Sequence, residues 1–558
     1  MKINKYLMFG VAAMSLGMTS CVGDLDLEPI DPNLESPTSP TLLYNEAMEC
    51  YQSMATSGND GAGSSIISGL DNGRGQYTRA IFMMNEFPSD EVIWIWKDDG
   101  IYDLNTNTYD ATNGNIYGTY SRLFAHIALC NQFLAESVDN ENAEIKALRG
   151  EVRTLRAMSY YWMLDIFGKS SFTLDKPDGQ TTPKQISRAE LYEWLEGELV
   201  DLVDNSDLKT TLTANEYGRV GKDAAEALLA RLYLNAGVYT GTPAWDKCAT
   251  RCENIINRHR GGGFKESGLA QEYLHLFCRD AKDYMPGGKM TAENEILWGI
   301  PFDGDRLQSW GGTTFLIASP IYNGGGLNGL DYGTTQTWQC TKAVKEFSER
   351  FTDSDKRWAL WVRGKVNFVD DKGNNAEKEY KISNDEYTQW GDGYLCIKWT
   401  GLSRGTDYFP PHHPVNPCGN IFSSNIISTS FGGTDLALIR LADVYLMYSE
   451  AALNGGADKQ KGLEYVNLIR QRAGVMEWDM ASYTADNLLD ERSRELYWEM
   501  TRRSDLVRFG KFTGPNQLLW SWKGNDLNGN AISSRYDVMP IPANIRASQP
   551  DFEQNPGY

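Results

Sequence analysis

Residues 89–99, SDEVIWIWKDD, set Trp94 and Trp96 two positions apart and close the segment with Lys97, Asp98 and Asp99. In extended backbone the side-chain period is two, so both indoles face one way and Ile93 and Ile95 the other. One face is enough for a core. The other is wholly aromatic and bordered by charge, which is the make-up of a binding platform. Buried tryptophan is the commoner case, so the segment alone leaves core and platform open.

Groups capable of covalent or metal chemistry are present without the spacing such chemistry needs. The five histidines, His126, His259, His275, His412 and His413, form no HExxH pair. His412 and His413, set between prolines, read as a surface turn more readily than as metal ligands. Cys248 and Cys252 lie four apart on an expected helix, but with no second pair nearby they read as small buried hydrophobes and not as a zinc site. The glycine triplets at 261–263 and 324–326 lack the lysine and the helix that phosphate binding requires. There is no Walker loop and no GxSxG. No cofactor, metal or catalytic group is expected.

The elements that must position these residues are mostly helical. From 141 to 167, Leu148, Val152, Leu155, Ser159, Trp162 and Ile166 alternate in steps of four and three, the stripe of an amphipathic helix. SRAELYEWLEGELVDLV at 187–203 follows, with Ser187 as N-cap and Glu190 completing a capping box. GKDAAEALLARLYLNAG (221–237) and AWDKCATRCENIINRH (244–259) make a second antiparallel pair. LIRLADVYLMYSEAALN (438–454), with Leu438, Leu441, Tyr445, Tyr448 and Ala452 on one stripe, and KGLEYVNLIRQRAG make a third. The expected fold is mostly α, with tetratricopeptide-like helical pairs as scaffold over about 41–259 and 436–512. Loop-rich, aromatic insertions over about 60–114 and 260–435 are the natural place for a binding site on that frame.

The termini and the charge narrow the function further. MKINKYLMFGVAAMSLGMTSC has lysines, a short apolar run and then small residues before Cys21, a secretory leader over 1–20. A cysteine at that point resembles a bacterial lipoprotein signal, which would make Cys21 the lipidated N-terminus. Residues 21–40 then form an acidic tether, and 41–558 a single domain. The other eight cysteines imply no disulfide framework. A net charge of −21 repels a phosphate backbone, so stacked tryptophans here do not indicate nucleic acid.

Seven stretches in order, LRGEVRTLRAMSYYWMLDIFGK, RLYLNAGVYTG, LIRLADVYLMYSEAALN, LIRQRAG, ERSRELYWEM, RRSDLVRFGKF and the ending MPIPANIRASQPDFEQNPGY, resemble the SusD/RagB family of outer-membrane glycan-binding lipoproteins. Met500 departs from the family's usual glycine. The resemblance implies a lipid-anchored, surface-exposed protein of the outer membrane that acts as a lid on a TonB-dependent transporter. It also implies ligand contacts, by likeness to the family's starch-binding member: Asp71, Arg79, Trp94, Trp96, Asp99, Trp310 and Trp338. Asp99 stands where that protein has asparagine, and Trp310 where it has tyrosine.

The chemistry of those residue types agrees with the resemblance. A pyranose presents a face of C–H groups that can lie on an indole, and a rim of hydroxyls that a guanidinium or carboxylate can bind in pairs. Starch or another α-glucan is the expected ligand, with a fructan or β-glucan as alternative. A hydrolase would need two carboxylates at a fixed separation with one pKa raised. With 74 Asp plus Glu in the chain, pairs such as Asp98–Asp99 and Asp370–Asp371 arise by chance and read as solvated loops. A protein-binding helical scaffold is the third possibility. Binding of glycan without turnover is expected.

Overall fold

A computed structural model describes residues 38–96, 98–177, 182–213, 216–281, 295–382, 393–404 and 426–558. The leader, Cys21, nearly all of the tether, Lys97, His412 and His413 lie outside the described residues. The first elements are α1 (Pro40–Ala55), α2 (Tyr77–Asn85), β1 (Val92–Trp94), α3 (Gly114–Glu136), α4 (Ala143–Phe167), α5 (Arg188–Asn205), α6 (Lys222–Leu234) and α7 (Trp245–His259). Then come β2 (Ile296–Ile300), α8 (Gly312–Ala318), β3 (Thr341–Ala343), a hairpin of β4 (Gly364–Val369) and β5 (Asn375–Tyr380), β6 (Leu436–Arg440), α9 (Leu441–Leu453), α10 (Lys459–Arg472), α11 (Ala485–Leu496) and α12 (Arg502–Arg508). Among the described residues no helix is long and apolar enough to cross a membrane.

The long helices stack in one continuous array. α1 packs on α3, α3 on α4, α4 on α5, α5 on α6, α6 on α7, and α7 on α9, which pairs with α10. The apolar stripe of α4 is buried along its whole length, Leu148, Val152, Leu155, Ser159, Trp162 and Ile166 included. α5 starts where expected. Ser187 Oγ accepts from the Glu190 amide, and Glu190 Oε2 accepts from the Ser187 amide at 3.0 Å, satisfying donors a helix start otherwise leaves open. The third pair begins later than its stripe suggests. Leu438 lies in β6, antiparallel to β2, and the helix starts at Leu441. LALIRL is a short apolar run with no period of its own, and such a run serves a buried strand as well as a helix.

A lattice of buried charge fastens the C-terminal helices together. Arg440 Nη1 donates to Glu295 at 2.6 Å and to Glu495 at 3.1 Å, while its Nη2 and Nε donate to Glu499 at 2.6 and 2.7 Å. Arg357 reaches Asp355, Glu491 and Glu495, and Arg472 reaches Glu295 and Glu495. These three arginines have fully buried side chains. A bare buried charge costs several kcal/mol, so such groups persist only when each is matched as they are here. Met500 takes φ +64, the left-handed backbone that glycine adopts most easily, so the departure at this position is one of residue type and not of conformation.

Candidate functional site

The tryptophan segment is held by two carboxylates just before it. Asp90 accepts both Arg502 Nε at 2.7 Å and Arg502 Nη2 at 2.9 Å, and pairs with Arg350 as well. Glu91 accepts from Ser493 Oγ at 2.6 Å and from the Trp498 amide at 3.2 Å. Burial works against the Asp90 carboxylate, but Arg350 and Arg502 hold its pKa well below the ordinary range. β1 therefore leaves the charge lattice in a fixed direction and pairs with β3, Trp94 opposite Thr341. That register brings Trp338, three residues before β3, to the same cleft as Trp94. The Trp338 and Cys340 amides donate to the carbonyls of Ala318 and Ser319 at the end of α8. Trp310 stands just before the start of the same helix.

These segments enclose a cleft of about 330 Å³. Its walls are Trp94, Trp96, Trp310 and Trp338. Arg79 and Arg74 border it with the turn Asp71-Asn72-Gly73, and Asp98 closes the side nearest Trp94. Trp94 and Trp96 meet edge to face, their centroids 5.7 Å apart and planes at 78°. Trp310 and Trp338 are 6.2 Å apart and inclined at 48°. Trp94 is only 4% exposed and belongs to the main core as well as to the cleft wall, while Trp96, Trp310 and Trp338 are half-buried. The alternatives of core and platform thus coexist: Trp94 backs the wall and the other three form its open surface. Ile93 and Ile95 are buried too, so both sides of the segment are covered.

Arg79 sits inside an aromatic box. Its guanidinium carbon lies 4.5 Å from the Phe315 ring centroid, 5.7 Å from Trp338 and 5.9 Å from Trp94, a cation–π arrangement. Nη1 donates to the Trp310 carbonyl at 3.2 Å, and the buried Nε has no hydrogen-bond partner. Burial pulls the Arg79 pKa down, an effect that nearby Asp71 partly offsets. Gly73 makes this approach possible, because a Cβ there would stand 2.2 Å from Arg79 Nη1 and 2.8 Å from the Trp310 carbonyl.

The acidic positions divide. Asp71 is exposed, and its Oδ1 accepts from the amides of Gly73 and Arg74 at 2.9 and 2.8 Å while Oδ2 pairs with Arg74 Nε. Partial burial opposes its charge, but Arg79 and the Arg74 contacts lower its pKa. Asp99 is not on the cleft wall. It is exposed, and its backbone carbonyl accepts from Asn115 Nδ2 at 3.3 Å. The carboxylate that does line the cleft is Asp98, whose Oδ2 accepts from Trp94 Nε1 at 2.9 Å. The structure therefore gathers Asp71, Arg79, Trp94, Trp96, Trp310 and Trp338 and leaves Asp99 out.

Three contributors carry little signal in the sequence. Phe315, the floor under Arg79, sits in the apolar run TTFLIAS and looks like any core residue. Asp98 and Asp99 are adjacent, and only the chain path separates them. Phe431, 4.6 Å from Trp310, lies more than a hundred residues away in sequence. A larger groove of about 700 Å³ runs along α10 and is lined by Tyr445, Tyr465 and Trp478, a single indole against the four of the cleft. Among the described residues, no three or more His, Cys, Asp or Glu side chains are grouped so as to hold a metal ion.

Comparison with known proteins agrees with this architecture. Residues 232–558 match the SusD family model, and residues 70–234 match a SusD-like model described as starch-binding and associating with the outer membrane. The chain is 31% identical over 570 aligned positions to the starch-binding protein SusD of Bacteroides thetaiotaomicron, covering 98% of this chain and 97% of that one. It is 21% identical to a SusD-like protein of Bacteroides ovatus over 77% of this chain and 73% of that one. Surface glycan-binding protein A of Bacteroides thetaiotaomicron, solved with laminarihexaose, has the same fold, with a TM-score of 0.66 at 18% identity over 92% of this chain and 99% of that one.

Proposed function

Because the chain belongs to the SusD family, we propose that it captures starch or a related α-glucan at the bacterial surface and passes it to a TonB-dependent transporter, anchored through a lipid on Cys21. The observation that carries the glycan reading is the convergence of four indoles on one cleft, with the Asp71 turn, Arg74, Arg79 and Asp98 at its polar edge. Sugar rings offer the matching pair of surfaces, apolar faces and a hydroxyl rim. The mutual inclination of the indoles, 78° and 48°, suits a ligand that turns from one residue to the next better than a flat β-1,4 chain. The starch-binding relative, 31% identical over almost the full length, favours the same ligand.

The role is binding and not turnover. The cleft's two carboxylates are already engaged, Asp71 by Arg74 and Asp98 by Trp94. Asp71 has its pKa lowered, the opposite of what a general acid needs.

Calorimetry on the protein lacking residues 1–21, against cyclic and linear maltooligosaccharides, starch, inulin, cellulose fragments and laminarihexaose, tests the ligand. A cyclic maltooligosaccharide should bind at least as well as a linear one of equal length, since its curvature is already set. Binding to a β-glucan or fructan with no α-glucan binding would overturn the ligand and leave the family untouched. Prolonged incubation with bound polysaccharide should release no reducing ends. Mass spectrometry should find Cys21 as a lipidated N-terminus, and the membrane-extracted protein should co-purify with a TonB-dependent transporter.

A further inference from the structure

One buried amide stands where three helices end around the cleft. Gln76 is fully buried. Its Nε2 donates to the carbonyls of Met54 at 2.7 Å and Ala55 at 3.3 Å, the last two residues of α1. Its Oε1 accepts from the Arg79 amide at 2.8 Å in the first turn of α2, and from the Gly312 amide at 3.1 Å at the start of α8. Thr78 Oγ1 donates to the same oxygen at 2.9 Å.

The polarity of each end matches. Helix N-termini carry unsatisfied N–H groups and partial positive charge, and C-termini carry the reverse. The carbonyl oxygen of Gln76 meets two N-termini and its NH2 meets one C-terminus. Turning the amide over would set NH2 against the Arg79 and Gly312 amides and its oxygen against the Met54 and Ala55 carbonyls, so only one orientation satisfies the network.

What those ends carry is the cleft itself. α2 begins with Arg79 in its first turn, α8 carries Phe315 beneath Arg79, and the residue two before Gly312 is Trp310. The backbone is closed tightly around the amide: a Cβ on Gly311 would lie 2.4 Å from Gln76 Cβ, and Gly312 has φ +53 with the Phe302 ring 2.4 Å from its would-be Cβ. We infer that Gln76 is a positioning residue that locks the Trp310 loop and α8 to Arg79, so that the aromatic cleft is formed before any ligand arrives.

Gln76→Glu is the informative change, because it keeps the shape and replaces the NH2 with oxygen. As a carboxylate it still suits the two N-termini but sets an oxygen against the Met54 and Ala55 carbonyls. Once protonated it can donate to one of them again. The affinity arm of the test rests on the glycan reading above, whereas near-UV circular dichroism of the ligand-free protein, reporting the packed indoles, does not.

At pH 8 the variant should show a changed near-UV spectrum and at least tenfold weaker binding of a cyclic maltooligosaccharide, with far-UV signal retained. Both should return toward wild type at pH 5, while the wild-type protein changes little over that range. If Gln76→Glu fails to fold at pH 8, refolding at pH 5 with a wild-type spectrum and affinity is the supporting result, and failure there as well overturns the inference. A folded variant with wild-type spectrum and affinity at pH 8 also overturns it. If neither protein binds any glycan, the spectra still decide the role of Gln76 and the ligand reading alone falls.

Discussion

Arg79 and Arg440 are both buried guanidinium groups, and they are treated in opposite ways. Arg440 is saturated by Glu295, Glu495 and Glu499; burial opposes its charge, but the carboxylates raise its pKa well above the ordinary arginine value. Among the described residues Arg79 pairs with no carboxylate; it lies among aromatic faces with one carbonyl acceptor and has its pKa lowered by burial. Arg440 thus spends its donors internally and gains cohesion, whereas the cleft leaves a cation short of acceptors at the border of an opening. A group under-satisfied in this way has hydrogen-bonding capacity left for a ligand's hydroxyls.

The contrast can be broken most forcefully from its satisfied side. Arg440→Met takes one cation away from three buried carboxylates, leaving Glu295 and Glu495 to Arg472 and Arg357 and Glu499 to Lys398, and should lower unfolding stability by about 3 to 5 kcal/mol, measured by urea denaturation; a loss below 1 kcal/mol would mean the lattice is not cohesive. Arg79→Ala should leave most of that stability intact and weaken glycan binding by about 1.5 to 3 kcal/mol in calorimetry. Unchanged affinity would mean Arg79 serves only the rings around it. Trp96→Ala or Trp338→Ala should each cost about 1 to 3 kcal/mol of binding, by analogy with stacking on other ring ligands. Equal losses from both would favour one ligand lying across the whole cleft.

The smallest expected effect is in pH. Asp90 and Glu499 in the lattice and Asp71 in the cleft all have lowered pKa values. Stability from a lowered carboxyl is present above its unfolded value, near pH 4, and is lost only as pH falls through the folded one. Between pH 8 and 5 these groups should leave both stability and binding flat. Glu46 runs the other way: burial first, then its contact with Glu136, raises its pKa to about 7. Its stabilising contribution is complete below the unfolded value and fades as pH rises through 7. Thermal melts should therefore show a mild decline from pH 5 to 8, reduced in Glu46→Gln, with glycan affinity unaffected.

Local pattern made the scaffold readable. The stripe of α4, the capping box of α5 and the alternation of helical pairs depend on residues three or four apart, and these are the interactions a sequence displays directly. The stretches LIRLADVYL, LIRQRAG and ERSRELYWEM also carry a physical content that periodicity does not convey: Arg440, Arg472, Glu491, Glu495 and Glu499 are members of the buried lattice. The cleft was legible only through family likeness, because it joins residues 71–98 to 310–338. Where likeness and geometry part, at Asp98 and Asp99, the difference is one residue of chain path, which spacing cannot resolve. Gln76 gave no signal, since a buried amide between Gly75 and Tyr77 looks like an ordinary loop residue until the three helix ends around it are known.

That separation has a consequence for how the protein matures. The cleft draws its first wall from the N-terminal fifth of the chain and its second from beyond residue 300, and the strand carrying Trp94 is clamped by Arg502, some four hundred positions later. Contacts so distant in sequence close late, after the local helices have formed. A chain still incomplete therefore has no platform to offer, and the appearance of the packed-indole signal would time the last step of folding. A formed cleft is thereby reserved for the finished molecule.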